Sequence, residues 1–367
     1  MAEYLRCPEC DHEFRPPPRA MTGRHVRCPA CDASVDRSNA EIEAELNDDD
    51  RYARRQSRRR KSTSSGSSAV KIVIAVLVVA GVLVVGCCGG GILLVREFFQ
   101  PTKYPEQTED FVEARKKFRT KLLKSGPAPQ SWDKESPPPG VQEIEYRSGN
   151  LRLKAWIDQP KQPAMRKPAV LYLHGGFAFG EEDWDQAQPF RDAGFIVMTP
   201  ILRGENGQPG NYTMFYDEVD DVIAAADFLA ARPDVDANRI YVAGHSAGGT
   251  LTLLAAMASR RFRAAASFSG STDQKSFVRG QEELMPFDPN DIREFQMRSP
   301  LAYPRSFKCP VRMYYGDEEI LFDAATQKTA ELANAAGLDV EAVEVPGDHF
   351  TSVDEAIRQA VAFFKQK

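Results

Sequence analysis

From residue 141 onward, apolar and polar positions fall into blocks that read alternately as strands and helices. Residues 141–146 and 151–157 alternate about the polar turn Ser148-Gly149-Asn150, which predicts an antiparallel hairpin. Short apolar, β-branched runs at 169–173, 195–198, 240–242, 264–268, 311–315 and 340–345 predict six more strands. Between them, stretches with apolar residues three and four apart predict helices at 185–193, 217–231, 247–260, 323–336 and 352–365. Strands separated by helices pair in parallel and need cover on both faces. The predicted fold class is therefore α/β, a mostly parallel sheet with helices on both faces after an antiparallel start.

Upstream the pattern changes. Residues 37–70 carry an acidic run (41–50), a basic run (seven Arg or Lys between 51 and 61) and STSSGSSA, a composition that builds no core and reads as a linker. The 24 residues 72–95 hold no charge, enough for a helix across a hydrocarbon layer of about 30 Å. The basic residues lie before this stretch, against Arg96 and Lys103 after it. A single-pass anchor at 71–95 is thus expected, with the N-terminus cytoplasmic and the C-terminal domain extracytoplasmic. Val84-Val85-Gly86-Cys87 also reads as a lipobox, a second reading in which Cys87 becomes a lipidated N-terminus. Residues 96–140 are expected as a membrane-proximal spacer. Within it, 108–124 forms an amphipathic helix, with Phe111, Ala114, Phe118 and Leu122 on one side, that lies on the bilayer or packs on the domain.

Charge and cysteines add two points. A formal net charge of -5 over 367 residues gives no global nucleic-acid footprint, and positive-inside anchoring accounts for the basic run. The seven cysteines divide as four in residues 1–36, the pair Cys87 and Cys88, and Cys309 alone in 141–367, where no internal disulfide is then available and a buried thiol is expected. CPEC at 7–10 and CPAC at 28–31, 17 residues apart, read as a four-thiolate site of Cys7, Cys10, Cys28 and Cys31. Zinc is the expected ion, and the segment resembles a small zinc ribbon. Two disulfides, or iron bound as in rubredoxin, are the competing readings of the same spacing. Four thiolates leave no open position, so the metal is structural.

The run 239–258, RIYVAGHSAGGTLTLLAAMA, is a short apolar strand that breaks at Gly244-His245-Ser246-Ala247-Gly248-Gly249 and resumes as an Ala/Leu-rich helix. Gly-x-Ser-x-Gly at a strand-to-helix turn is a nucleophile elbow. The serine takes a strained backbone, the glycines remove Cβ atoms from the approach of strand and helix, and the helix N-terminus faces any anion formed beside Ser246.

Six stretches carry a wider likeness: LYLHGG (171–176), PILRGENGQPG (200–210), DVDANRIYVAGHSAGG (234–249), SPLAY (299–303), KCPVRMYYGDEE (308–319) and GDHF (347–350). Through them residues 141–367 resemble the α/β-hydrolase superfamily, closest the prolyl-oligopeptidase-like and dienelactone-hydrolase-like catalytic domains. In that fold the chain order is nucleophile, acid, base. The resemblance therefore implies Ser246 as nucleophile and His349, after the last strand, as base, because His174 belongs to LHGGFAFG and His245 to the elbow itself. The acid is expected in the loop that starts YYGDEE. Three residues beyond the strand-end glycine, its position in relatives, stands Glu319, with Asp317 as the alternative. His174-Gly175-Gly176 resembles the HGG oxyanion motif, which implies donors at Ala247 N–H and at Gly176 or Phe177 N–H.

Two functions are compatible with these residues. One is an anchored serine hydrolase cleaving an ester or a peptide bond without a cofactor. The other is a catalytically idle hydrolase fold used for binding, with the ribbon as a cytoplasmic interaction module for a protein partner. Dienelactone hydrolases use a cysteine nucleophile where this chain has Ser246, and nothing before residue 140 would form the propeller of a prolyl oligopeptidase. Residues 271–298, which mix Phe277, Leu284, Met285, Phe287, Phe295 and Met297 with charges, are expected either to wall an acyl pocket or to cover helices.

Overall fold

The computed structural model describes residues 5–6, 13–14, 25–28, 31, 34–36, 100–158, 166–319 and 323–367. The chain divides into two compact units, Met1–Ile92 and Leu93–Lys367. In the first unit β1 (Leu5–Arg6) pairs antiparallel with β2 (Glu13–Phe14), and β3 (His25–Arg27) with β4 (Ser34–Asp36). In sequence, CPEC lies between β1 and β2 and CPAC between β3 and β4. Cys28 is buried and Cys31 exposed, whereas Cys7 and Cys10 lie outside the described residues. Among the described residues no three metal-binding side chains meet, and no helix is long and apolar enough to cross a membrane. The expected span at 72–95 and the lipobox at Cys87 lie outside the described residues.

The second unit begins upstream of the expected boundary at 141. Its first helix among the described residues, α1 (Phe111–Lys117), is capped by the Asp110 side chain on Val112 N–H. Then come the hairpin β5 (Val141–Ser148) and β6 (Leu151–Asp158), β7 (Lys167–Leu173), the short helices α2 (Glu181–Gln186) and α3 (Gln188–Asp192), and β8 (Ile196–Pro200). The chain continues through α4 (Glu218–Ala231), β9 (Val235–His245), α5 (Ala247–Ala258), β10 (Ala265–Phe268), α6 (Gln274–Phe277) and α7 (Ile292–Gln296). It ends with β11 (Val311–Gly316), α8 (Asp323–Ala335), β12 (Val340–Val345) and α9 (Val353–Gln366). The eight strands form one sheet in the order β12-β11-β10-β9-β7-β8-β6-β5, parallel from β12 to β8 and antiparallel across β8-β6-β5. This is the α/β-hydrolase arrangement.

The strand period sets the two faces of the sheet. On β7 and β9, Ala169, Leu171, Leu173, Ile240 and Val242 enter one core with α4 and α5. Val170, Tyr172, Tyr241 and Ala243 enter the other, with α9 and Phe190. There Phe364 stacks on Tyr241 with ring centroids 4.6 Å apart.

Helix α5 is buried from Ala247 to Met257. A helix apolar all round needs cover on the side away from the sheet, and this brings 100–140 into the unit. Phe111 is fully buried and meets Tyr303 at 5.3 Å, while Phe118 meets Tyr216 at 5.6 Å. Of the two placements open to the amphipathic stretch, packing on the domain is the one seen for α1. The insertion 271–298 contributes to the same cluster through Val278, Met285, Phe287, Phe295 and Met297, and Leu122 bridges to Phe287. Its apolar side chains therefore cover the helices. Beneath them the fully buried Arg298 forms an ion pair with Glu294 at 2.6 Å, donates to Thr213 O, and lies 4.0 Å from the Phe287 ring centre.

Candidate active site

The parallel strands end on one side of the sheet, where Ser246 follows β9, Glu319 follows β11 and His349 follows β12. Carboxyl ends of parallel strands are where open α/β sheets hold their sites. Ser246 has φ 54° and ψ −114°, a conformation outside the ordinary regions for a side-chain-bearing residue. Its amide is tied to Phe268 O at 2.8 Å and its carbonyl to Thr250 N at 3.0 Å. The turn closes only because Gly248 lacks a Cβ, which would stand 2.1 Å from Leu173 O and 2.5 Å from His174 O.

The sequence-expected side chains converge. His349 Nε2 lies 2.9 Å from Ser246 Oγ, and His349 Nδ1 lies 2.5 Å from Glu319 Oε1. A carboxylate only accepts, so Nδ1 carries the proton and Nε2 presents its lone pair to the serine hydroxyl. Glu319 is buried, and its other oxygen accepts from Ser269 Oγ at 2.6 Å and from Gly316 N–H at 2.7 Å. Burial raises its pKa, but the hydrogen bonds from His349, Ser269 and Gly316 outweigh that, and the net shift is downward. Asp317, the alternative acid, is exposed and turned away, accepting Gly347 N–H at 2.8 Å. It latches the histidine loop to the end of β11. That approach is close: a Cβ on Gly316 would stand 2.1 Å from Gly347 O.

Three contacts around the site leave no trace in the sequence. Ser269, at φ 50°, donates its hydroxyl to Glu319 Oε2. His245 Nε2 lies 2.8 Å from His349 O; since a carbonyl only accepts, this nitrogen donates and holds the backbone of His349. Burial, and then the neighbouring His349, push His245 down to about 4, so it is neutral near pH 7. Glu205 holds His174 at 3.0 Å with both side chains buried. Burial lowers the His174 pKa, but the Glu205 carboxylate more than reverses this, lifting it to about 9. His174 is thus an imidazolium tying the HGG loop to the 200–210 loop, unavailable as a base.

The HGG loop lies on the elbow. A Cβ on Gly175 would stand 3.2 Å from His245 Nδ1, and Gly176 takes φ 66°. Ala247 opens α5, where an N–H has no carbonyl one turn back. The Phe177 N–H donates to Gln130 Oε1 at 2.8 Å, a contact from the upstream segment. Cys309 sits apart from the site, half-buried, its thiol pushed up to about 12 by burial and so protonated and inert.

Comparison with known proteins agrees with this architecture. The uncharacterized peptidase YtmA of Bacillus subtilis is 27% identical over 186 residues, covering 48% of this chain and 72% of YtmA. Among solved structures, a puromycin-hydrolyzing peptidase of Mycobacterium tuberculosis superposes with a TM-score of 0.56 at 22% identity, over 62% of this chain and 40% of that one. The acylaminoacyl peptidase of Pyrococcus horikoshii gives 0.51 at 21%, over 62% and 41%. This chain spans well under half of either structure, and at such identities the likeness is one of fold. The sequence profile of the prolyl oligopeptidase family matches residues 183–367, just over half of the chain and the part that carries Ser246, Glu319 and His349. By that match, the chain belongs to the prolyl oligopeptidase family of peptidases.

Proposed function

We propose that this protein is a serine hydrolase that cleaves a peptide or ester bond through an acyl-enzyme, with Ser246 as nucleophile, His349 as base and Glu319 as acid. The observation that supports it most is the continuous hydrogen-bonded line from the Glu319 carboxylate through the His349 imidazole to Ser246 Oγ. Ser246 Oγ attacks the substrate carbonyl while His349 Nε2 takes its proton, and Glu319 stabilises the imidazolium that forms. The negative charge that develops on the carbonyl oxygen is met by Ala247 N–H and by an N–H of the Gly176-Phe177 turn. His349 then protonates the leaving amine or alcohol. A water, deprotonated by the same nitrogen, releases the acyl group and restores Ser246.

Kinship with proteins named as peptidases favours the peptide bond. Turnover of aminoacyl p-nitroanilides beside p-nitrophenyl esters of increasing chain length by the full-length protein, with Ser246→Ala as control, tests this. Anilide turnover that disappears in the variant fits the peptidase reading, and ester turnover alone makes the protein an esterase.

The wider setting rests on sequence pattern. The uncharged stretch 72–95 and the charge asymmetry around it favour a single-pass anchor with the hydrolase outside the cytoplasm. The two hairpins that flank the C-x2-C pairs favour a structural zinc on Cys7, Cys10, Cys28 and Cys31, in a unit that offers a surface to a protein partner. Metal content of the full-length protein, and loss of metal in Cys7→Ser, test that part.

A further inference from the structure

Residues 126–135 form a strap over the oxyanion side of the site. It is fastened to the 204–212 loop by Ala128 N–H on Gly204 O and Tyr212 N–H on Gly126 O, both at 2.9 Å. Beyond these bonds Trp132 lies over Gly207, where a Cβ would meet its ring at 3.2 Å, and the Glu135 carboxylate accepts the N–H of Glu181 at the start of α2. Between the fastenings Gln130 is exposed, yet its side-chain oxygen is held 2.8 Å from Phe177 N and 2.6 Å from where a Cβ on Gly176 would stand. A carboxamide oxygen is chemically the carbonyl oxygen of a peptide. It rests on a donor of the turn that, in the reading above, receives the substrate's carbonyl.

We infer that the Phe177 N–H is an amide-carbonyl binding site, that Gln130 occupies it in the resting protein as a stand-in for substrate, and that substrate enters by displacing this side chain. The inference rests on the hydrolase reading. A competitor tethered to the site reduces apparent affinity by the fraction of molecules it blocks and leaves the chemical step alone once it is displaced. Gln130 thereby sets which substrates react: only those whose carbonyl and flanking groups outcompete one neutral hydrogen bond do so efficiently.

The test uses the full-length protein and its Gln130→Ala and Gln130→Glu variants, both at an exposed position that carries no core packing. The readouts are p-nitrophenyl acetate kinetics and the rate at which a fluorophosphonate labels Ser246. Removing the competitor in Gln130→Ala is expected to raise kcat/KM and the labelling rate about three- to tenfold, through KM, with kcat within about twofold. Gln130→Glu keeps the acceptor, strengthens the bond with a charge and sets that charge beside the developing oxyanion, so it is expected to slow both. Opposite shifts in the two variants separate competition from a structural role, which would slow both. Labelling of Ser246 in all three proteins at one rate, or slower labelling in folded Gln130→Ala, would overturn the inference and leave the hydrolase reading intact. Absence of labelling in all three would overturn both.

Discussion

Glu319 and His349 meet at 2.5 Å with the carboxylate buried beneath the imidazole, and Asp317, two residues earlier, accepts Gly347 N–H instead. The geometry separates two neighbouring acids by what each faces. Glu319→Gln is expected to lower kcat/KM roughly 10³- to 10⁴-fold, the cost of losing the group that fixes the histidine tautomer. Asp317→Asn, which weakens only an exposed hydrogen bond, should stay within about fivefold. Parallel ester kinetics on the two variants check this, and the reverse ranking would reassign the acid.

The Ser269 hydroxyl donates to Glu319, the group that holds His349. With its hydroxyl removed, the buried Glu319 Oε2 keeps only the Gly316 N–H, and the carboxylate is freer to rotate away from His349. Ser269→Ala should cost roughly tenfold in kcat. Because a less stabilised carboxylate protonates more readily, the acid limb of its pH–rate profile should shift upward. Ser269→Thr, which restores the hydroxyl, should recover part of the loss.

The buried His174–Glu205 pair predicts a pH dependence of stability. The folded pKa of His174, about 9, lies above its ordinary value of 6.5. A raised pKa means that the folded state binds the proton more tightly, so the contribution is complete below about pH 6.5 and is lost as pH rises through about 9. It amounts to roughly 3 kcal/mol at most. Thermal unfolding between pH 6 and 9.5 should show the melting temperature of the native protein falling with pH relative to Glu205→Gln.

Gly248→Ala drives a methyl group to within 2.1 Å of Leu173 O, where strand and helix backbones leave no room. A loss of more than about 3 kcal/mol is expected, read as a fall in melting temperature or as a failure to fold. A mild effect would mean that the elbow is wider than described.

A chain that starts at residue 141 should aggregate, whereas one that starts at 100 should not. Phe111, Ala114 and Phe118 cover a core that includes all of α5, and losing them uncovers that surface. Size-exclusion chromatography of the two chains reads the outcome.

The strands and their order were legible because a sheet buried on both faces leaves continuous apolar runs such as YVAG and VRMYYG, and a serine between glycines at a strand end has few structural uses. That Glu319 rather than Asp317 meets His349 was expected from its spacing from Gly316. The single helix expected at 185–193 is two short ones, because Pro189 sits in the first turn of α3 and starts it anew. The role of residues 100–140 was not legible, since an amphipathic stripe offers the same face to lipid and to protein. Neither was the contact of Ser269 with a residue 50 positions away, nor that of Gln130 with Phe177, 47 away. Polar contacts across loops leave no periodic trace in a sequence.

The most direct measurement is mass-spectrometric mapping of a fluorophosphonate adduct on the folded full-length protein. One adduct is expected, on Ser246, lost in Ser246→Ala and slowed at least a hundredfold in His349→Ala. A folded protein that takes no adduct at Ser246, or takes it equally fast without His349, would contradict it.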